Sequence, residues 1–150
     1  LVDGSPESRL MWQIQSYIND ANITIADIAQ QDKQNRATLS EAEYEKAHSI
    51  TDSIFIAEHD LLGVMFLNFI EDNSGSLSTL YAVDAPFNRS GRIFYAESDF
   101  EVFETVLEGL EQTIPNNPHT QYFRTRVERA RSARAIAQQQ QQAGQEFIVE

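Results

Sequence analysis

The most apolar run in this chain is residues 51–70, TDSIFIAEHDLLGVMFLNFI. At the spacing of an α-helix, side chains in and next to this run form two neighbouring apolar stripes. One stripe comprises Ile50, Ile54, Ala57, Leu61 and Val64, and the other comprises Phe55, Leu62, Phe66 and Phe69. A surface helix needs a single apolar stripe, so we expect this helix to be a buried core helix that packs on both sides. Because charged and polar residues interrupt the run, we also expect it to be too short and too polar to cross a bilayer. The interrupting residues are Asp52, Glu58, His59, Asp60 and Asn68.

A second apolar pattern predicts a long helix before this run. It is a heptad seam, in which apolar residues recur at alternating steps of three and four. Its members are Met11, Ile14, Ile18, Ala21, Ile25 and Ile28. Ser5 and Pro6 suit the start of this helix, and Ser40 with Glu43 forms a capping box for the next one. We therefore predict two long antiparallel helices, the second over about residues 41–70, with the hairpin tip where the seam fades at residues 31–36.

The chain after this hairpin predicts shorter elements. A short helix is expected over residues 76–83, followed by a loop over residues 84–91 from which Phe87 points inward. Residues 93–95 fit either an extended segment or the start of a turn. Ser98 and Glu101 form a second capping-box pattern, which opens a helix that Pro115 ends. The apolar stripe of that helix comprises Phe100, Phe103, Leu107, Leu110 and Ile114.

The last predicted helix covers about residues 119–142. It holds five of the eleven basic residues, which we expect to offset the acidic helix before it. The basic residues are Arg124, Arg126, Arg129, Arg131 and Arg134, and the acidic ones are Glu101, Glu104, Glu108 and Glu111. Ala143 and Gly144 are expected to end this helix, and residues 145–150 have strand character. We therefore expect a helical domain over residues 1–143, with residues 144–150 beginning a further domain.

Composition excludes several classes of function. The chain has 150 residues, enough for one structural unit, and a formal net charge of −12 with no cysteine. An acidic chain lacks the clustered cations that bind nucleic acid, and an anionic membrane surface would repel it. The absence of cysteine removes disulfides, thiol catalysis and cysteine-bound zinc.

No residue pattern predicts a catalytic, cofactor or metal site. Glu45 and His48 match the Glu-x-x-His spacing of di-iron bundles, but such a site needs the motif twice and it occurs once. Glu58, His59 and Asp60 are consecutive, so on a helix they spread over about 200° and do not converge on one ion. We expect no enzyme activity from this chain.

The predicted fold class is all-α, a long antiparallel helical hairpin with about three shorter helices packed at its base. Two kinds of site fit it. Self-association through apolar surface near the hairpin tip would involve Ile25, Ile28, Tyr44 and Ala47. Alternatively, a ligand-sensing bundle would hold a small apolar or aromatic molecule in a cavity lined by Trp12, Tyr81, Phe87, Phe94 and Tyr95.

Three segments in this order resemble a known family. They are residues 4–8 (GSPES), residues 68–73 (NFIEDN) with Ser76 and Leu77, and residues 110–118 (LEQTIPNNP) before an Arg-rich helix. This arrangement resembles the helical middle region of exported thioredoxin-like proteins of Gram-negative bacteria. In that family a thiol-disulfide oxidoreductase or peroxiredoxin-like domain follows the helices. Gly144 and Phe147 stand where the redox domain would open, but the usual Ala-Pro-Asp-Phe entry is replaced by Gln145-Glu146-Phe147.

The resemblance implies a role without chemistry of its own. The Cys-x-x-Cys motif of the redox domain is absent, so no catalytic residue is carried over. By this resemblance the chain is a spacer, docking or self-association region whose partners are adjacent domains of its own polypeptide or a second copy. Its expected location is the periplasm or cell envelope, with any membrane attachment through a lipid anchor upstream of residue 1.

Overall fold

A computed structural model describes residues 4–88 and 91–148 of the chain. Five helices and one pair of short strands follow each other in these residues. They are α1 (Pro6–Thr38), α2 (Glu41–Asp72), α3 (Ser78–Val83), β1 (Pro86–Phe87), β2 (Gly91–Arg92), α4 (Phe100–Thr113) and α5 (Pro118–Ile148). Helices α1 and α2 pack side by side, the short helices α3 and α4 gather at the open end of this hairpin, and α5, with 31 residues, packs against α4. The predicted all-α hairpin architecture is confirmed.

The two long helices begin at the caps that the sequence predicts. Ser5 accepts a hydrogen bond from the backbone of Ser8 at 3.3 Å, and Pro6 occupies the first turn of α1. Ser40 and Glu43 form a complete capping box at the start of α2. Helix α1 continues to Thr38, so the predicted tip at residues 31–36 is wrong. Two residues, 39 and 40, make the turn.

The inner side of the hairpin forms the main core. Ile14, Ile18 and Ala21 from the heptad seam of α1 are buried, and they join Phe66 of α2 in one hydrophobic cluster. Tyr17 meets the Phe66 ring edge to face, with 6.1 Å between ring centroids. The middle of the predicted seam therefore makes the contact between the helices.

Helix α2 is not buried on both sides, which corrects the expectation for residues 51–70. Its second stripe faces the core, where Leu62, Phe66 and Phe69 are buried and Phe55 is half-buried. The stripe from Ile50 to Val64 faces outward. The expectation that this helix is too short and too polar to cross a bilayer is also wrong by length and composition. Among the described residues α2 is the one helix that meets both requirements, with a mean hydropathy of 1.5 over 18 residues, of which 22 % are buried.

Short elements close the base of the hairpin. Glu7 of α1 accepts hydrogen bonds at the start of α3, from the Ser76 hydroxyl at 2.8 Å and the Ser78 backbone at 3.2 Å. The predicted loop after α3 contains a small antiparallel pair, in which Phe87 of β1 lies opposite Gly91 of β2. Phe87 is buried as expected and contacts Phe55, at 5.2 Å between ring centroids.

Helix α4 packs through the predicted stripe, but its start differs from the prediction. Phe100, Phe103, Leu107 and Leu110 are buried and Ile114 is half-buried. Asp99 occupies the N-cap without a capping side-chain hydrogen bond, so the predicted capping box is wrong. The Asp99 carboxylate instead accepts a hydrogen bond from the Tyr95 backbone at 2.9 Å, which closes a turn over residues 95–99.

Two glycines allow α4 to approach the turn after α2. Gly75 has φ +84°, a left-handed conformation that favours glycine, and a Cβ on Gly109 would lie 2.9 Å from the Gly75 nitrogen. Thr113 completes the contact by donating a hydrogen bond to the Gly75 carbonyl at 2.8 Å. The base is thus closed by backbone packing as well as by apolar side chains.

Helix α5 confirms the predicted charge pairing with α4 for three of its five arginines, while Arg126 pairs with Asp84 instead. Arg131 pairs with Glu104 at 3.0 Å, Arg134 lies 3.7 Å from Glu101, and Arg124 pairs with Glu111. The predicted end of this helix is wrong, because the helix continues through Gly144 to Ile148 and the expected strand is absent from residues 145–148. Residues 149–150 of that predicted strand lie outside the described residues.

Candidate functional site

A groove of about 690 Å³ lies between the first half of α1, helix α3 and the first half of α5. Its lining is mainly apolar and aromatic. The lining residues are Ser8, Met11, Trp12, Ile14, Gln15, Ile18, Leu80, Tyr81, Asp84, Pro86, His119, Tyr122, Phe123 and Arg126. Its floor contains Ile14 and Phe123, which also belong to the buried core, so the groove is built on a packed base.

Two of the five residues predicted to line a cavity do so. Trp12 and Tyr81 lie on opposite elements of the groove, and both are exposed. Phe87 lies against Phe55 and His59 of α2, and Phe94 is buried in the core. Tyr95 is exposed, and its hydroxyl accepts a hydrogen bond from the Arg92 backbone at 3.1 Å. These last three residues do not line the groove.

Helix α5 supplies the lining residues that the sequence reasoning missed. His119, Tyr122 and Arg126 reach the groove from one side of this helix, next to the buried Phe123. Tyr122 and Arg126 are four residues apart, so the spacing alone places them on one face. Their position beside Phe123 and Val127, the apolar residues of α5 that are buried, was the available signal.

A charged cluster borders the groove, which Asp84 and Arg126 line. Arg126 donates two hydrogen bonds to the Asp84 carboxylate, at 2.7 and 2.8 Å. Arg92 donates a third to the same carboxylate at 3.0 Å. The hydrogen bond to Asp84 raises the pKa of Arg126 above its ordinary value. Two guanidinium groups thus share one carboxylate, which leaves this cluster with an excess of positive charge in a chain of net charge −12.

A second candidate site is the outer face of α2. We use this name for the six large aliphatic side chains that α2 exposes, each between 38 % and 62 % accessible. They are Ile50, Ile54, Ile56, Leu61, Val64 and Leu67. Monomeric soluble proteins rarely expose a contiguous apolar patch larger than a few hundred Å², so this face has the character of an interaction surface.

The residues predicted for self-association lie along the hairpin instead of on this face. Ile25, Ile28, Tyr44 and Ala47 are each half-buried. Ile25 packs against the core cluster. The Tyr44 hydroxyl donates to Asp32 at 3.2 Å, and the Arg36 guanidinium lies 5.3 Å from the centroid of its ring.

Polar contacts hold the helices together near the tip. His48 and Asp32 are joined at 2.8 Å through the imidazole Nδ1, and Asp52 lies 3.6 Å from the other ring nitrogen. The hydrogen bond with Asp32 raises the pKa of His48, and the same bond lowers the pKa of Asp32. Within residues 4–88 and 91–148, no group of three or more His, Asp or Glu side chains is placed to hold a metal ion.

The comparisons with known proteins assign this chain to no family. No family model, no curated protein and no solved structure matches this chain. The resemblance to thioredoxin-like accessory regions stays a prediction from the sequence.

Proposed function

We propose that this chain is a non-catalytic helical docking region that pairs with a second copy of itself through the outer face of α2. The observation that carries this proposal is that α2 exposes six large aliphatic side chains, four of which lie in one row along the helix. The inner side of the same helix already satisfies the core through Leu62, Phe66 and Phe69. The exposed stripe therefore adds nothing to the fold of a single chain.

The area of this face suits a modest interface. Aliphatic side chains that are about half exposed offer roughly 80 Å² each, so six of them offer roughly 500 Å² per copy. A symmetric pair that covered all six would bury at most roughly 1,000 Å² from these side chains, against a lower bound of about 1,000 Å² for a specific interface. Flanking residues would add to this value.

The spacing of the face supports a second copy as the partner. Four of the six side chains, Ile50, Ile54, Leu61 and Val64, follow with Ala57 the alternating steps of four and three that pack one helix against an equivalent helix. A twofold axis would place the same face on both sides of the contact, so each stripe meets its own equivalent. Since each chain carries a net charge of −12, apolar burial and not charge attraction must hold the pair together.

Sedimentation equilibrium tests this proposal. The chain is expected to form a dimer that strengthens as salt rises from about 0.05 M to about 0.5 M, because salt screens the repulsion between two acidic chains. Leu61→Glu should abolish the dimer, since it places a charge at the centre of the apolar stripe. Ile23→Glu is the matched control, because Ile23 is similarly exposed, 63 % against 55 % for Leu61, but lies on α1.

Three outcomes would overturn pairing. They are a strict monomer at high concentration, equal loss of the dimer in both variants, and a dimer that weakens as salt rises. A monomer that binds zwitterionic lipid vesicles through the same face, with binding lost in Leu61→Glu, would replace the second copy by a membrane as the partner.

We further propose, on the sequence resemblance alone, that this docking region belongs to an exported thioredoxin-like protein of the periplasm or cell envelope. The support is the order of the three segments quoted above and their place before an Arg-rich helix. The test is the complete reading frame. An export signal before residue 1 and a Cys-x-x-Cys motif after residue 150 are expected, and a frame with neither would overturn this placement.

One observation favours a second function, recognition of a small apolar or aromatic molecule. The groove between α1, α3 and α5 has a volume in the range of about 300–1,000 Å³ that is usual for small-molecule sites. Trp12, Tyr81 and Tyr122 stand exposed around it. The test is saturable binding of a small aromatic probe, and failure of every probe would remove this function while leaving the pairing through α2 intact.

A further inference from the structure

We infer that the groove binds a small molecule with an apolar or aromatic body and a single carboxylate. This inference rests on the second function proposed above and specifies the ligand. The body of the ligand would lie against the apolar and aromatic lining, and its carboxylate would lie at Arg126.

The lining accounts for the apolar body. Met11, Leu80 and Pro86 provide aliphatic surface, and Trp12, Tyr81 and Tyr122 provide aromatic surface. Aromatic side chains bury large areas and position flat ligands through stacked or edge-to-face contacts. A fully polar ligand would leave most of this surface without a matching partner.

The charged cluster of Arg126, Arg92 and Asp84 is the reason to expect a carboxylate on the ligand. Arg126 uses two of its five N–H donors on Asp84, and 32 % of its side chain remains accessible. Arg92 shares the same carboxylate, so the positive charge of the pair of arginines is only half neutralised. A guanidinium group binds a carboxylate with charge-assisted hydrogen bonds, which are about twice as strong as neutral ones.

The surrounding titratable groups favour an anion over a cation. Among the residues that line the groove, Asp84 is the one carboxylate, and both arginines already pair with it. His119 is the remaining titratable side chain apart from the tyrosines. A cationic ligand could stack on the aromatic rings, but it would meet an excess of positive charge at Arg92 and Arg126.

The chain contains its own reporter of binding. Trp12 is its single tryptophan, lines the groove and is 77 % accessible. Its fluorescence is therefore expected to change when a ligand covers the indole ring. No label is needed, and the signal comes from the groove itself.

Three matched probes test the inference by titration of Trp12 fluorescence. They are 3-phenylpropanoate, 3-phenylpropanol and 3-phenylpropylammonium, which share one aromatic body and differ in the end group. The acid is expected to bind about tenfold or more tightly than the alcohol, a ratio that one charge-assisted hydrogen bond can supply. The ammonium probe is expected to bind most weakly.

Variants locate the carboxylate. Arg126→Gln should remove the preference for the acid while the alcohol still binds, which shows that the groove remains intact. Asp84→Asn should strengthen binding of the acid, because it removes the carboxylate that competes for Arg126. The matched control is Arg131→Gln, since Arg131 lies on the same helix but pairs with Glu104 outside the groove.

The possible outcomes distinguish a wrong ligand class from the absence of a binding site. Equal binding of acid and alcohol, or tightest binding of the ammonium probe, would overturn the carboxylate while leaving the groove as a binding site. An unchanged preference for the acid in Arg126→Gln would overturn the role of Arg126. No saturable change with any probe up to about 10 mM, the range of very weak binding, would overturn both the inference and the second function.

Discussion

The two sides of α2 carry equally apolar side chains in different surroundings. Leu61 and Leu62 are consecutive residues of one helix, yet Leu61 is 55 % accessible and Leu62 is 3 % accessible. Leu62 belongs to the buried core cluster, and Leu61 faces outward. An apolar stripe therefore indicates that its side chains favour burial. It does not indicate whether residues of the same chain bury them.

The largest expected difference between the two sides is in the free energy of unfolding. Phe66→Ala should lower it by about 3–5 kcal/mol, because this side chain is fully buried at the centre of the core. Leu61→Ala should change it by no more than about 0.5 kcal/mol in the monomer. Urea unfolding at low protein concentration measures both. A large loss in Leu61→Ala would mean that the outer face contributes to the fold of the single chain.

Glycine substitutions sharpen the comparison between the closed base and α2. Gly109→Ala should lower the free energy of unfolding by about 1–3 kcal/mol, because its Cβ would lie 2.9 Å from the Gly75 backbone nitrogen. Gly63→Ala should raise it by about 0.5–1 kcal/mol, since alanine favours the helix and the nearest atom, on Ile93, is 3.9 Å away. Thermal or urea unfolding measures both changes. Equal effects in the two variants would contradict the close packing of α4 on the turn.

The inner side of α2 is polar near the hairpin tip and apolar near the base. The pH dependence of stability tests this difference. Near the tip it carries Tyr44 and His48 in place of the apolar residues found near the base. The pKa of His48 is raised in the folded chain. The stability that its bond to Asp32 adds is therefore fully present below about pH 6.5 and is lost as the pH rises through the raised pKa. The pKa of Asp32 is lowered in the folded chain. The stability that Asp32 contributes through this bond is therefore present above about pH 3.8 and is lost as the pH falls through the lowered pKa.

The pair is thus expected to stabilise the tip most at mildly acidic pH. His48→Gln should lower the urea midpoint more at about pH 5.5 than at about pH 8.5, since the imidazole is charged only at the lower pH. This is the smallest of the three effects, because His48 is exposed and Asp32 is only half-buried. Asp32→Asn should show the same pattern, and a larger loss at the higher pH in either variant would contradict the assigned contact.

Local sequence signals predicted the starts of the two long helices correctly. They predicted the end of α5 wrongly. Ser5, Ser40 and Glu43 cap the helices at the expected positions because capping depends on residues within one turn. The same local reasoning failed at the end of α5, where Gly144 does not stop the helix. One glycine costs a helix only about 1 kcal/mol, and the Ala- and Gln-rich residues before it favour the helix.

The groove could be predicted only in part, because it depends on contacts between elements distant in the sequence. The sequence predicts Trp12 and Tyr81 as cavity residues, and both line the groove together with Tyr122. Phe87 was assigned to the same cavity, but the strand pair turns it toward Phe55 on α2. An aromatic side chain in a loop shows that a partner is needed, and the path of the chain decides which partner it finds.

The most direct test of the account is the reactivity of single thiols at two neighbouring positions of α2. The chain contains no cysteine, so Leu61→Cys and Leu62→Cys each introduce one thiol. At low protein concentration the thiol of Leu61→Cys should react freely with a soluble maleimide, and that of Leu62→Cys at least about a hundredfold more slowly, because it requires local opening. Raising the concentration should protect the thiol of Leu61→Cys as the pair forms. Equal rates at the two positions would contradict the two different sides of α2, and a Leu61→Cys rate independent of concentration would contradict pairing through its outer face.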